Sequence, residues 1–139
     1  EEFLRSSPQV AEAAEVDLAR DGECPVLLDR TLMRQVLSNL VRNAEEAARP
    51  ARPRVHLAVR PAGAQALLTV ADEGPGIPAE IRSRVFDPYF TTKRDGTGLG
   101  LAIVRKIVLQ HGGDVEARQR PGGGALLAVT LPLAPAPAP

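Results

Sequence analysis

The chain has 139 residues, 44% hydrophobic and 24% charged, ordinary values for one globular domain, which excludes an intrinsically disordered or fibrous chain. Lys plus Arg and Asp plus Glu are each 17, for a formal charge of zero, so no broad basic field exists for nucleic acid or anionic lipid, and any anion site must be local. Aromatics at 3% argue against a base-stacking platform, and a lone Cys24 excludes an internal disulfide and fits a reducing, cytoplasmic setting.

Glu15 to Arg20 and Pro25 to Leu28 have strand character on either side of the turn Asp21-Gly22-Glu23, which predicts a hairpin or two edge strands. Asp29 offers a capping oxygen to a helix expected over about Thr31 to Ala48, stopped by Pro50 and Pro53. Arg54 to Arg60 and Ala64 to Ala71, around Pro61-Ala62-Gly63, read as a second hairpin. A turn-rich loop, Asp72 to Pro78, leads to a short helix expected over Ala79 to Val85, followed by an irregular stretch from Phe86 to Gly98. Leu99 to Gln110 is apolar at helical spacing and stops at His111-Gly112-Gly113. Two strands, Asp114 to Arg118 and Ala125 to Leu131, flank Pro121-Gly122-Gly123-Gly124, and the tail from Ala134 to Pro139 alternates Ala and Pro. Helices alternating with hairpins predict an α+β fold, a two-layer sandwich with helices on one face of a mixed, mostly antiparallel sheet. The chain opens Glu1-Glu2-Phe3 without Met, which suggests a piece of a longer polypeptide. No apolar run approaches the roughly 18 residues of a membrane span.

Three patterns bear on chemistry. On the first long helix, Leu32, Met33, Val36, Leu40, Val41 and Ala44 share one arc, with Asn43 inside it and Asn39 at its edge, while Arg34, Ser38, Arg42 and Glu45 face away. A carboxamide at a core boundary needs partners; it either bonds loop backbone or offers its oxygen to a hard cation such as Mg²⁺. Asp72-Glu73-Gly74-Pro75-Gly76 follows directly on a strand. It is either a plain turn or a purine site, where glycines let backbone approach a planar ligand and the carboxylate accepts from an exocyclic amine. Gly96-Thr97-Gly98-Leu99-Gly100-Leu101 runs into a buried helix, where a first-turn glycine costs about 1 kcal/mol relative to Ala. Open amides at a helix start form an anion site, so phosphate contact would offset that cost. The pattern is neither a Walker A loop nor a dinucleotide fingerprint. Between these loops lies Phe86-Asp87-Pro88-Tyr89-Phe90-Thr91-Thr92-Lys93-Arg94, which is either a surface loop pinned by its aromatics or a lid over bound phosphates.

In this order the four segments resemble the N, G1, F and G2 boxes of sensor histidine kinases, over about Glu15 to Leu131, and Phe86 to Lys93 with Gly96 to Val104 looks most like the nitrogen-regulation type. The resemblance implies the ATP-binding sandwich shared by gyrase, Hsp90, histidine kinases and MutL, the Bergerat-type fold. It implies that Asn43 ligates Mg²⁺ with Asn39 beside the phosphates, and that Asp72 bonds the adenine amine in a pocket shaped by Gly74, Gly76 and Ile77. Phe86, Thr92 and Lys93 would belong to the lid region, and Gly96, Thr97, Gly98, Leu99, Gly100 and Leu101 to the phosphate site. Two positions depart from the family pattern. Glu46 and Ala47 stand where many members carry a basic residue and an aromatic, which leaves Lys93, Arg94 and Arg42 as the sources of positive charge. A late Gly-Thr-x-Phe strand start reads Gly124-Ala125-Leu126-Leu127.

The resemblance implies a protein-histidine kinase catalytic domain that uses ATP and Mg²⁺. Related ATPases carry Glu four places before the Mg²⁺ Asn, to activate water; here that place is Asn39. A histidine nucleophile needs mainly positioning, so phosphoryl transfer to histidine is favoured over hydrolysis. His56, in a strand, and His111, at a helix end, both lack the acidic neighbour of the family's phosphoacceptor box. The acceptor is therefore expected on a separate dimeric helical domain before Glu1, with residues 1–14 leading from it, residues 15–133 forming the catalytic domain and residues 134–139 a tail. A response-regulator receiver domain is the implied downstream partner. The isolated domain is expected to be monomeric and cytoplasmic, within a parent either soluble or membrane-anchored. The alternative is a non-catalytic nucleotide-binding module of the same fold.

Overall fold

A computed structural model describes residues 15–48, 54–91 and 98–134. The elements are β1 (Glu15–Arg20), α1 (Arg30–Ala48), β2 (Arg54–Ala62), β3 (Gln65–Asp72), a 3₁₀ turn (Ala79–Ile81), α2 (Gly100–Gln110), β4 (Asp114–Gln119) and β5 (Ala125–Pro132). The strands form one sheet in the order β1-β2-β3-β5-β4. Only β1 and β2 pair in parallel, and the other three ladders are antiparallel. The expected mixed, mostly antiparallel sheet is present.

Strand register explains which face is buried. Leu57 pairs with Val70, Val70 with Leu127 and Val129 with Val115, so these side chains share one face. Both helices pack against that face. Met33, Val36, Leu40 and Ala44 of α1 and Val104, Ile107 and Val108 of α2 join them in a single core. Each fully buried Val or Leu contributes about 1.5–3 kcal/mol of transfer free energy, and the aliphatic composition supplies nearly all of this core. Phe86 is its single aromatic among the described residues.

Asp29 caps α1 as its position predicts, with Oδ1 accepting from Leu32 N at 2.9 Å and the main-chain carbonyl accepting from Met33 N at 2.9 Å. The two helices run antiparallel. The N-terminal end of α1 meets the C-terminal end of α2 where Asp29 N donates to His111 Nε2. The middle of α1 meets the start of α2 where Asn39 Nδ2 donates to the Gly100 carbonyl.

Two expected elements differ. No hairpin forms between Glu15 and Leu28: β1 pairs with β2, and Pro25 to Leu28 is an extended connection to α1. Leu27 is 76% exposed, and the Pro25 carbonyl accepts from Ala134 N at 2.7 Å instead of from a neighbouring strand. The expected helix over Ala79 to Val85 is a 3₁₀ turn followed by further turns. Its bonds run from residue i to i−3, as in Ile81 N to Pro78 O, Arg84 N to Ile81 O and Asp87 N to Arg84 O. A run this short between Pro78 and Pro88 cannot offset the cost of nucleating an α-helix. Pro50, Pro53, residues 1–14 and residues 135–139 lie outside the described residues.

Candidate nucleotide site

A cavity of about 670 Å³ opens between α1, the loop after β3, the turns around Ile81 and Val85, and the start of α2. It follows one flank of α1, immediately beside the helix's core-facing arc. Asn39 and Asn43 both line it, one turn apart as their spacing requires. Asn39 lies at the α2 end, with Nδ2 donating to Gly100 O at 3.2 Å. Ala47 lies at the other end, where its carbonyl oxygen approaches Gly74 so closely that a Cβ there would sit 3.0 Å from it. The helix therefore spans the site from the glycine-rich start of α2 to the loop after β3.

Asp72, the last residue of β3, is the one buried charged residue among those described, at 4% exposure. Its Oδ1 accepts from Gly74 N at 2.9 Å and from Ala125 N at 3.2 Å. Its Oδ2 accepts no hydrogen bond from a described residue, and no partnerless side-chain oxygen is sealed in the interior among the described residues. Asp72 lines the cavity, so a carboxylate with one oxygen pinned presents the other to a ligand donor, such as an exocyclic amine. Gly76 and Ile77 continue this wall. Arg82 holds the loop in place, with Nε donating to the Ile77 carbonyl at 3.0 Å and Nη2 to Gln119 Oε1 at 3.2 Å.

At the opposite end, Gly98, Gly100 and Leu101 face the cavity. Among the described residues no side chain caps the start of α2, and Gly98, Gly100 and Leu101 line the cavity there, at the positive end of a helix dipole, an arrangement suited to an anion. Gly98 adopts φ +72° and accepts from Tyr89 N at 2.9 Å. Tyr89 itself has φ +68° and is 77% exposed. This contact joins the Tyr89 backbone directly to Gly98.

The expected residues divide clearly. The structure brings Asn39, Asn43, Asp72, Gly76, Ile77, Gly98, Gly100 and Leu101 to one cavity; Gly74 adjoins it through its bond to Asp72, and Leu99 immediately precedes α2. Phe86 is not on the wall: it is 5% exposed and packed in the core, and Phe90 lines the cavity in its place, with the Arg84 guanidinium 4.7 Å from its ring centre. Thr92, Lys93, Arg94, Gly96 and Thr97 lie outside the described residues. Arg42 lines the cavity although the wheel turns it from the core, because the cavity occupies the flank beside the apolar arc and a long side chain reaches it. Glu46, Thr91 and Ala125 line it too. Thr91 was legible as a neighbour of the aromatic run, whereas Ala125 contributes through its N–H and leaves no side-chain signal. His56 meets Glu73 at 3.2 Å, and His111 bonds the Ile107 carbonyl through Nδ1 at 2.8 Å, as expected of a helix-end imidazole.

Fold and cavity together define a nucleotide-binding α/β sandwich. Residues 28–135 match the family described as histidine kinase-, DNA gyrase B- and HSP90-like ATPases. The chain is 36% identical to the nitrogen regulation protein NtrY of Azorhizobium caulinodans over 94% of its own length and 18% of that protein. The catalytic domain of histidine kinase ThkA superposes with TM-score 0.82 at 33% identity, covering 96% of this chain and 91% of that one. ThkA in complex with the response regulator protein TrrA gives 0.76 at 30%, covering 96% and 39%. Full-length ShkA in complex with AMPPNP gives 0.81 at 32%, covering 99% and 30%. The chain belongs to the histidine kinase-, DNA gyrase B- and HSP90-like ATPase family, as an ATP-binding catalytic domain of the sensor histidine kinase type. It spans about a fifth of the length of NtrY. Among the described residues no helix is long and apolar enough to cross a membrane.

Proposed function

We propose that this domain binds Mg·ATP and transfers the γ-phosphoryl group to a histidine on a separate, dimeric helical domain of the same full-length protein. The observation that carries this reading is the Asp72 carboxylate, with Oδ1 fixed by two main-chain N–H groups and Oδ2 open to the cavity. In this reading Oδ2 accepts from the adenine 6-amino group, and the wall from Gly76 to Ile77 covers the base. The phosphates extend toward Gly98, Gly100 and Leu101, where main-chain amides and the dipole of α2 stabilise their charge. Lys93, with Thr92, Gly96 and Thr97 in the same segment, closes over them as a lid. AMPPNP in the ShkA structure supports ATP as the ligand.

The donor set fits Mg²⁺. Among the described residues no group of three His, Cys, Asp or Glu could hold a metal, but Mg²⁺ in such sites is bound by one or two protein oxygens together with substrate phosphates. Asn43, through its carboxamide oxygen, would hold it, with Asn39 beside the phosphates. The ion, when bound, neutralises charge building on the β- and γ-phosphates. In the transfer, an imidazole nitrogen forms a bond to the γ-phosphorus, the bond to the β–γ bridging oxygen breaks, and ADP leaves. Asn39 offers no base, and a histidine acceptor near neutral pH needs none.

The parent is assigned a response-regulator receiver domain as partner, on the support of the ThkA complex, and this domain a cytoplasmic position as a monomer. The boundaries 1–14, 15–133 and 134–139 belong to the same proposal. Calorimetric titration with ATP, with and without Mg²⁺, tests it. Asp72→Asn should weaken ATP binding about tenfold or more, and Asn43→Ala should remove the Mg²⁺ dependence. Absence of ATP binding to the wild-type chain up to millimolar concentration would refute the reading.

A further inference from the structure

The turn between β4 and β5 packs on the residues that present Asp72. Gly124 adopts φ +104° and is closed into this turn by its carbonyl, which accepts from Arg120 N at 2.9 Å. A Cβ at 124 would overlap the Asp72 carbonyl oxygen and lie 2.9 Å from its carbon and 3.2 Å from Glu73 Cα. The next residue, Ala125, donates its N–H to Asp72 Oδ1 across a separation of 53 residues. Gly123 is the internal contrast, with φ +111° but nothing within 4 Å of its Cβ position.

We infer that Gly124 is a positioning residue for base selection: its missing side chain lets the start of β5 lie against the end of β3, so that the Ala125 N–H locks the Asp72 carboxylate with Oδ2 aimed at a 6-aminopurine. This rests on the ATP-binding reading. Without that contact Oδ1 keeps only the Gly74 N–H, the carboxylate is free to rotate, and the interaction with an exocyclic amine is lost while the phosphate end of the site is untouched. A hydrogen bond to a charged group is worth about tenfold or more in affinity, and that factor separates a 6-amino from a 6-unsubstituted purine.

The test compares ATP with purine riboside 5′-triphosphate, identical but for the missing 6-amino group, by calorimetry on the chain and its Gly124→Ala and Gly123→Ala variants. Both substitutions place Ala at a positive φ and carry similar backbone strain; only the first meets Asp72. Gly124→Ala should lower ATP affinity about tenfold and leave that of the analogue unchanged, while Gly123→Ala keeps the wild-type preference. If Gly124→Ala weakens both ligands equally, or retains the preference for ATP, the inference is overturned. Should thermal melting show that Gly124→Ala does not fold, lactic acid in place of Ala125 replaces the N–H by an ester oxygen without added bulk. Loss of the preference then supports the inference, and its survival overturns it. A wild-type chain that binds ATP and the analogue equally would instead refute the base-contacting role of Asp72, and a preference lost in Asp72→Asn but kept in Gly124→Ala would leave that role standing alone.

Discussion

His111 joins the end of α2 to the cap of α1: its Nε2 accepts the Asp29 N–H at 3.0 Å while Nδ1 donates to the Ile107 carbonyl at 2.8 Å. Both ring nitrogens are engaged, Nδ1 toward a carbonyl and Nε2 toward an N–H. His111→Ala removes both side-chain bonds, but the Ile107 carbonyl still accepts from the N–H of residue 111 and the exposed Asp29 N–H turns to water. It should lower stability by about 0.5–1.5 kcal/mol in urea unfolding, with little change in ATP affinity, because the contact lies at the far end of α1 from Ala47.

Leu40 stands between the two site asparagines and is fully buried. Leu40→Ala should cost about 2–5 kcal/mol through lost transfer energy and a residual cavity. Leu27→Ala, at a side chain 76% exposed, should stay within about 0.5 kcal/mol. Chemical denaturation of both variants measures the contrast.

Gly98 meets the Tyr89 backbone so closely that a Cβ would overlap it, and its φ of +72° disfavours any other residue. Gly98→Ala should weaken ATP binding by about tenfold, given strain of 1–3 kcal/mol. In the proposed pose adenosine reaches only the Asp72 end, and it should bind as it does to the wild type. Parallel titrations with the two ligands check this.

Arg82 bonds the Ile77 carbonyl and Gln119 at once. Arg82→Ala should release the loop that the proposed pose sets against the base, lowering affinity for ATP and for adenosine by the same factor, about threefold to tenfold for one or two hydrogen bonds. Loss confined to ATP would contradict a role at the base end.

Much of this fold was legible because its signals are local. The Asp29 cap, the apolar arc of α1, the hairpin joining β2 to β3 and the glycines before α2 each declare themselves within a few residues. The failures are non-local. Nothing in Glu15 to Arg20 states that its partner is β2, since a parallel ladder is formed across a whole helix, and the turn at Asp21 to Glu23 favours the hairpin that does not form. In the site, side-chain chemistry exposed Asn39, Asn43 and Asp72. The exchange of Phe86 for Phe90 was hidden, because two aromatics four residues apart differ only in which way the turns between them rotate. Ala125 was hidden because its contribution is a main-chain N–H.

Three hydrogen bonds that assemble the molecule join residues 82, 61 and 53 apart in sequence, Asp29 with His111, Asn39 with Gly100 and Asp72 with Ala125. Contacts of this separation are costly to close early and slow the search for the native state. The cavity draws its lining from Asn39 to Ala125, across α1, the loop after β3, the start of α2 and the start of β5, so nucleotide affinity belongs to the completed topology. Ligand occupancy is then a thermodynamic reporter of global folding: at 100 times its dissociation constant, a ligand that binds only the native state raises the unfolding free energy by about 2.7 kcal/mol.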